Sequence, residues 1–162
     1  MSMLTKKIAR ISILITVAII LGYIENAINI IPVSGIKLGL SNFVLLYCIY
    51  KCSISETYLV VIIKSVLIGF CFSGFMSILY SVSGVICSAT VMLFVYKYVK
   101  NITIYGISML GSCVFNIVQF CVASCILGNF MVLFNLWYVL PLSLGTGLIL
   151  AEIFRFVLLK EN

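Results

Sequence analysis

Six apolar segments follow one another along the chain: Ile8–Ile24, Leu38–Tyr50, Thr57–Phe72, Phe75–Tyr96, Tyr105–Leu127 and Val132–Leu159. Predominantly apolar runs of roughly 20 residues predict helices that cross a bilayer. Three of the turns between them, Lys51–Glu56, Lys97–Thr103 and Gly128–Asn129, carry charges or helix breakers; the turn between the third and fourth segments rests on Ser73 and Gly74. The second segment is too short, because Leu38–Tyr50 makes a helix of only about 20 Å against a hydrocarbon core of ~30 Å. It follows the irregular stretch Pro32–Asn42, which carries a proline, two glycines, Lys37 and Asn42. Either the second helix starts earlier, or Gly35–Leu40 dips into the membrane and the helix begins partway down. The second alternative is favoured. A dipping segment needs surrounding protein to satisfy its backbone, and it would lie over the bundle as a lid does.

Composition sharpens this picture. The chain has 162 residues, 64% of them hydrophobic, and a mean hydropathy of +1.33, so the prediction is an all-α integral membrane protein. Six spans fill the length, and residues 1–162 are expected to form a single transmembrane domain. Lys6, Lys7 and Arg10 precede a first span that reads as retained, since Gly22–Ala27 offers no small-x-small cleavage site. With the N-terminus in the cytoplasm, the inner surface collects Lys6, Lys7, Arg10, Lys51, Lys97, Lys100, Arg155 and Lys160, and the outer surface only Lys37. That bias predicts both termini inside and a multi-pass membrane protein.

The same composition excludes much chemistry. There is no aspartate and no histidine, and the acidic residues are Glu25, Glu56, Glu152 and Glu161. Ser-His-Asp triads, His-based metal sites and paired-Asp diphosphate–Mg²⁺ sites are therefore unavailable. No metal or cofactor is expected, and no nucleotide-binding motif is present. The net charge of +6 sits at span ends, which argues against a nucleic-acid partner. The seven cysteines lie in or beside apolar runs at spacings unlike CxxC and read as packing residues.

A few polar positions remain. Lys64 is the eighth of the sixteen residues Thr57–Phe72, near the bilayer midplane, where a lysine costs roughly 2.5–3.5 kcal/mol to insert and needs a partner. It reads either as a counter-charge for an anionic ligand, or as a structural ion pair with Glu25 or a side chain snorkelling toward a surface. Glu25 and Lys37 flank the outer connection; each is a ligand contact or an interfacial charge. Ser112, Asn116 and Gln119, spaced i, i+4, i+7 with Ala123 continuing the row, stack on one helix face. They make either interhelical hydrogen bonds or a pocket wall, and Asn42 is read in the same way. Ser73, Ser77, Ser81, Gly84 and Ser88 form a small-residue packing row on the fourth span, and Ala9, Ser12 and Thr16 a similar row on the first. Pro141 is expected to kink the sixth span, and Trp137 and Tyr138 to mark its outer interface.

Glu25, Ile31-Pro32 and Gly35-Ile36-Lys37-Leu38-Gly39-Leu40-Ser41-Asn42 together resemble the opening of the heptaprenyl diphosphate synthase component I family, also called the Gx transporter family. Ser81-Val82-Ser83-Gly84-Val85-Ile86-Cys87-Ser88 is similar to its fourth-span pattern, and Gly111 with Asn116-Ile117-Val118-Gln119 to its fifth. The family usually has histidine where this chain has Phe115, and often arginine where it has Lys64. The resemblance implies a six-helix bundle like the substrate-capture (S) components of energy-coupling-factor (ECF) transporters. Such subunits bind a solute under a first-loop lid and dock, through small residues on the first helix, on a coupling subunit driven by ATPases. Ala9, Ser12 and Thr16 would then be docking residues. Glu25, Lys37, Asn42, Lys64, Ser83, Asn116 and Gln119 would be ligand-binding residues.

Three functions are open on the sequence. Capture of a small anionic or vitamin-like solute for uptake is the leading one. A second is a non-catalytic accessory role in prenyl-lipid (heptaprenyl diphosphate or quinone) synthesis, catalysis itself lacking the aspartates it needs. A third is an anchor for an extracytoplasmic redox or flavin system.

Overall fold

The computed structural model describes residues 3–28, 37 and 39–161. Ile31, Pro32, Gly35, Ile36 and Leu38 of the expected lid, and the Ser73 side chain of the fourth-span row, lie outside the described residues. Among the described residues six α-helices succeed one another: α1 Met3–Ile28, α2 Asn42–Lys51, α3 Ile54–Ile68, α4 Phe75–Tyr98, α5 Ile104–Leu127 and α6 Leu136–Glu161. No strand occurs among the described residues. All but α2 belong to stretches long and apolar enough to cross a membrane, five in all. This is the all-α, multi-pass membrane architecture the hydropathy pattern predicts.

Local signals explain the boundaries. Ser53 and Glu56 form a capping box at the start of α3, the Ser53 N–H donating to Glu56 Oε2 at 3.1 Å and the Glu56 N–H to Ser53 Oγ at 3.4 Å. Thr103 caps α5 by accepting from the Gly106 N–H at 3.2 Å. Two features go beyond the sequence reading. A π-helical turn, Gly69–Ser73, continues α3 up to Gly74, and a 3₁₀ segment, Phe130–Asn135, leads into α6. α6 runs as one helix through Pro141.

The short α2 is the hub. It begins at Asn42, after a turn in which the Asn42 N–H donates to the Gly39 carbonyl at 2.8 Å, and it touches every other helix. Val44, Leu45, Leu46, Cys48 and Ile49 are buried. Its aromatic edge stacks on α6, with Tyr50 and Tyr47 centred 5.2 Å and 6.1 Å from Phe154. Around it α4 packs on α5, and α5 on α6, through small residues. Ser88 donates to the Gly111 carbonyl at 2.9 Å, and Ser108 to the Gly147 carbonyl at 2.7 Å. At Gly147 a β-carbon would stand 2.9 Å from Met109 Cα, so this close backbone approach requires glycine. Ser77, Ser81, Gly84 and Ser88 of the fourth-span row are all buried, as a packing row should be.

One end of the bundle gathers basic residues. Lys7 of α1 pairs with Glu56 of α3 at 3.0 Å, Arg10 donates to the Lys51 carbonyl at 3.3 Å, and Arg155 of α6 donates to the Tyr105 hydroxyl at 3.2 Å.

Candidate functional site

Lys37 and Gly39–Asn42 lead into α2 already pinned by three helices. From α1, the Glu25 carboxylate accepts the Gly39 N–H. From α5, Gln119 Oε1 accepts the Lys37 N–H at 3.2 Å. From α3, Lys64 Nζ donates to the Ser41 carbonyl at 2.6 Å, to Ser41 Oγ at 3.2 Å and to Asn42 Oδ1 at 3.4 Å. Lys64 is 1% exposed and Gln119 fully buried; Glu25, Lys37, Ser41 and Asn42 are buried as well. An ammonium has three protons to place, and three acceptors surround this one. Lys64 thus meets its insertion cost through loop oxygens. It forms no ion pair with Glu25 among the described residues.

Gly39 holds φ +93°, a left-handed conformation that penalises any β-carbon. A β-carbon there would also lie 2.7 Å from Asn42 Nδ2 and 3.0 Å from the Phe115 ring. The other edge of that ring faces Gly84 of α4, where a β-carbon would lie 3.0 Å from it. Phe115 is therefore an apolar wedge between the segment and α4, at the position where the resembling family usually has histidine.

This geometry leaves buried polar atoms without partners. Glu25 Oε2, Lys37 Nζ, Asn42 Nδ2, Gln119 Nε2, Ser81 Oγ and the Tyr138 hydroxyl make no hydrogen bond among the described residues. Native proteins seldom leave such groups unmatched, since each costs roughly 1–3 kcal/mol. Four of the six belong to Lys37 and Asn42 or to side chains bonded to Lys37 and Gly39. Three are N–H donors and one is a carboxylate oxygen. Burial holds the Lys37 ammonium below the usual lysine range, while Glu25 acts in the opposite sense.

The candidate residues thus fall into groups. Glu25, Lys37, Asn42, Lys64 and Gln119 are brought together by direct bonds. Asn116 is fully buried one turn before Gln119 and donates to the Ser112 carbonyl at 3.0 Å. Ser83 is only half-buried, and its hydroxyl is committed to its own helix, donating to the Leu79 carbonyl at 2.7 Å. Ala9, Ser12 and Thr16 are exposed on α1, with the Thr16 hydroxyl turned back to the Ser12 carbonyl at 2.9 Å, which leaves a smooth outer row.

Sequence reasoning missed two participants. Ser41 supplies two of the three acceptors for Lys64; its place just before an apolar helix, as a Ser-Asn pair, was the available signal. Phe115 gave a signal only through the resemblance, as the position where the family usually has histidine, because by itself an apolar residue in an apolar span is silent. Among the described residues, no group of three His, Cys, Asp or Glu side chains could hold a metal ion.

A family model described as heptaprenyl diphosphate synthase component I matches residues 14–157. No curated protein matches the chain, and no solved structure does. The match takes in the pinned segment, α2 to α5, the second half of α1 and most of α6. The chain belongs to the heptaprenyl diphosphate synthase component I family.

Proposed function

We propose that this chain is a substrate-capture subunit, S-component-like, that binds a small solute beneath the Lys37–Asn42 segment and works with separate ATPase-bearing partners in the bacterial cytoplasmic membrane. One observation carries the reading: buried, unpartnered polar atoms concentrate around a segment that three helices hold in place. A solute that satisfies them removes their desolvation cost. The free groups set its chemistry. Lys37 Nζ, Asn42 Nδ2 and Gln119 Nε2 offer hydrogens, so the ligand is acceptor-rich and anionic. Glu25 Oε2 takes one donor from it. Lys64 serves the site by holding Ser41 and Asn42. The chain itself has no catalytic role, since no aspartate is present to hold a diphosphate-bound metal. Ala9, Ser12 and Thr16, a smooth exposed row on α1, are the proposed surface for the coupling partner.

The family description supports a second reading, in which the chain is a non-catalytic membrane component that assists a prenyl diphosphate synthase. A mild-detergent pull-down from native membranes separates the two, with mass spectrometry of proteins and retained small molecules. Coupling and ATPase subunits with a bound polar solute are expected. Recovery of a prenyl synthase subunit, with neither ATPase nor solute, would overturn the capture reading. A second test is Lys37→Met, which removes a free ammonium and leaves the backbone bond to Gln119 intact. It should weaken solute retention roughly 10- to 100-fold, the range for a hydrogen bond to a charged group, with the melting temperature unchanged.

A further inference from the structure

Two cavities meet on the basic end of the bundle, away from the pinned segment. One is an apolar groove of about 490 Å³ between α1, α2 and α6, walled by Ile13, Leu14 and Val17 of α1, Phe43 and Tyr47 of α2, and Val157 of α6. The other is a smaller polar hollow of about 330 Å³ where α1 faces the start of α3, with Lys7, Ser53 and Glu56 in its wall. Lys6 and Arg10, one turn apart on α1, line both.

The charges at this seam do not cancel. Lys7 and Glu56 neutralise each other at 3.0 Å. Lys6 and Arg10 have no carboxylate partner among the described residues. Arg10 spends one donor on the Lys51 carbonyl at 3.3 Å, and a guanidinium has five. An uncompensated pair of cations therefore sits at the mouth of a hydrocarbon-lined groove. That groove opens on the bilayer side of α1, where Ala9 and Ile13 are exposed.

We propose that this paired cavity is a binding site for one anionic phospholipid of the surrounding bilayer, its phosphate held by Lys6 and Arg10 and one acyl chain laid in the apolar groove. The charge pattern selects this occupant. A zwitterionic lipid brings its own cation beside the phosphate, in competition with Lys6 and Arg10, and a soluble phosphate leaves the groove empty. Arginine binds phosphate with paired N–H donors, and basic pockets between membrane helices favour anionic headgroups. The site is separate from the solute site and depends on none of its residues. Ala9 belongs to both the groove and the proposed docking row, so the lipid would be a neighbour of any partner helix seated there.

The test uses the full chain reconstituted in vesicles of equimolar phosphatidylglycerol and phosphatidylcholine, extracted gently and weighed by native mass spectrometry. The parent protein should retain one phosphatidylglycerol in preference to phosphatidylcholine. The double variant Lys6→Gln/Arg10→Gln, confined to exposed side chains, should bind it roughly thirtyfold more weakly, the combined effect of two basic contacts at an anionic headgroup. Lys100→Gln/Lys160→Gln removes equal charge outside the groove and should change nothing. Val17→Trp, which narrows the groove and keeps both cations, should also lower retention; if it does not fold, the charge variants decide alone. Equal retention of the two lipids, or undiminished phosphatidylglycerol on Lys6→Gln/Arg10→Gln, would overturn the proposal. So would an equal loss in the Lys100→Gln/Lys160→Gln control.

Discussion

α1 and α2 are both apolar helices, yet the molecule treats them in opposite ways. α1 is 26 residues long, and Ile8, Ile13, Ile20 and Tyr23 lie more than half exposed along it. α2 is 10 residues long and, Lys51 apart, has no exposed residue. An apolar side chain does not announce whether it will meet lipid or protein, because both environments are free of water. Length settles it: a ten-residue helix cannot span the hydrocarbon core, so its ends must be satisfied by protein inside the bundle. Lys64 at the Ser41 carbonyl and Glu25 at the Gly39 N–H provide that satisfaction. The site is thus a by-product of shortening one helix, since the polar groups that hold its leading segment stay buried together.

Substitutions can test that contrast directly. The largest effect is expected from Leu46→Ala in the α2 core, a loss of about 2–5 kcal/mol as a cavity opens, read as a falling unfolding midpoint in detergent. Next comes Lys64→Met, which strips the donor from three oxygens and should cost roughly 1–3 kcal/mol. Its signature is local: amide exchange should quicken from Gly39 to Phe43 while α4 and α5 keep their protection. If protection at Gly39–Phe43 is unchanged, Lys64 does not anchor the segment. Gly39→Ala follows at about 1 kcal/mol or more, because the left-handed backbone and the Asn42 contact both resist a methyl group. Adding Phe115→Ala should relieve the crowding against that ring and leave the Asn42 contact and the backbone strain, so the Gly39→Ala penalty should shrink in that background without vanishing. The smallest effect is Ile13→Ala, on the exposed face of α1, expected within about 0.5 kcal/mol. An α1 substitution as costly as Leu46→Ala would erase the distinction between the two helices.

The apolar segments, the short second helix and the buried polar row of α5 were legible because they depend on local length and on helical period. The burial of Ser112, Asn116 and Gln119 follows from their i, i+4, i+7 spacing. Lys64 was legible as a residue needing a partner, since charge in an apolar span is conspicuous. Its partner was not legible. The sequence favoured a ligand or Glu25, whereas the ammonium bonds a carbonyl and hydroxyl 23 positions away. Ser83 matched a motif, yet its hydroxyl closes on its own helix.

What the sequence determined by itself is the solvent of each segment: apolar length and the scarcity of charge commit this chain to a bilayer, and the missing aspartate and histidine remove His-based and paired-Asp metal sites from its chemistry. Only the tertiary structure decided which polar atoms meet. The bond from Lys37 to Gln119 closes 82 positions, and the Phe115 wedge joins Gly39 to Gly84. Such contacts depend on how helices cross and on which is short enough to be enclosed. No local period encodes either, because hydrogen bonds and packing act over a few ångströms in space and not along the chain.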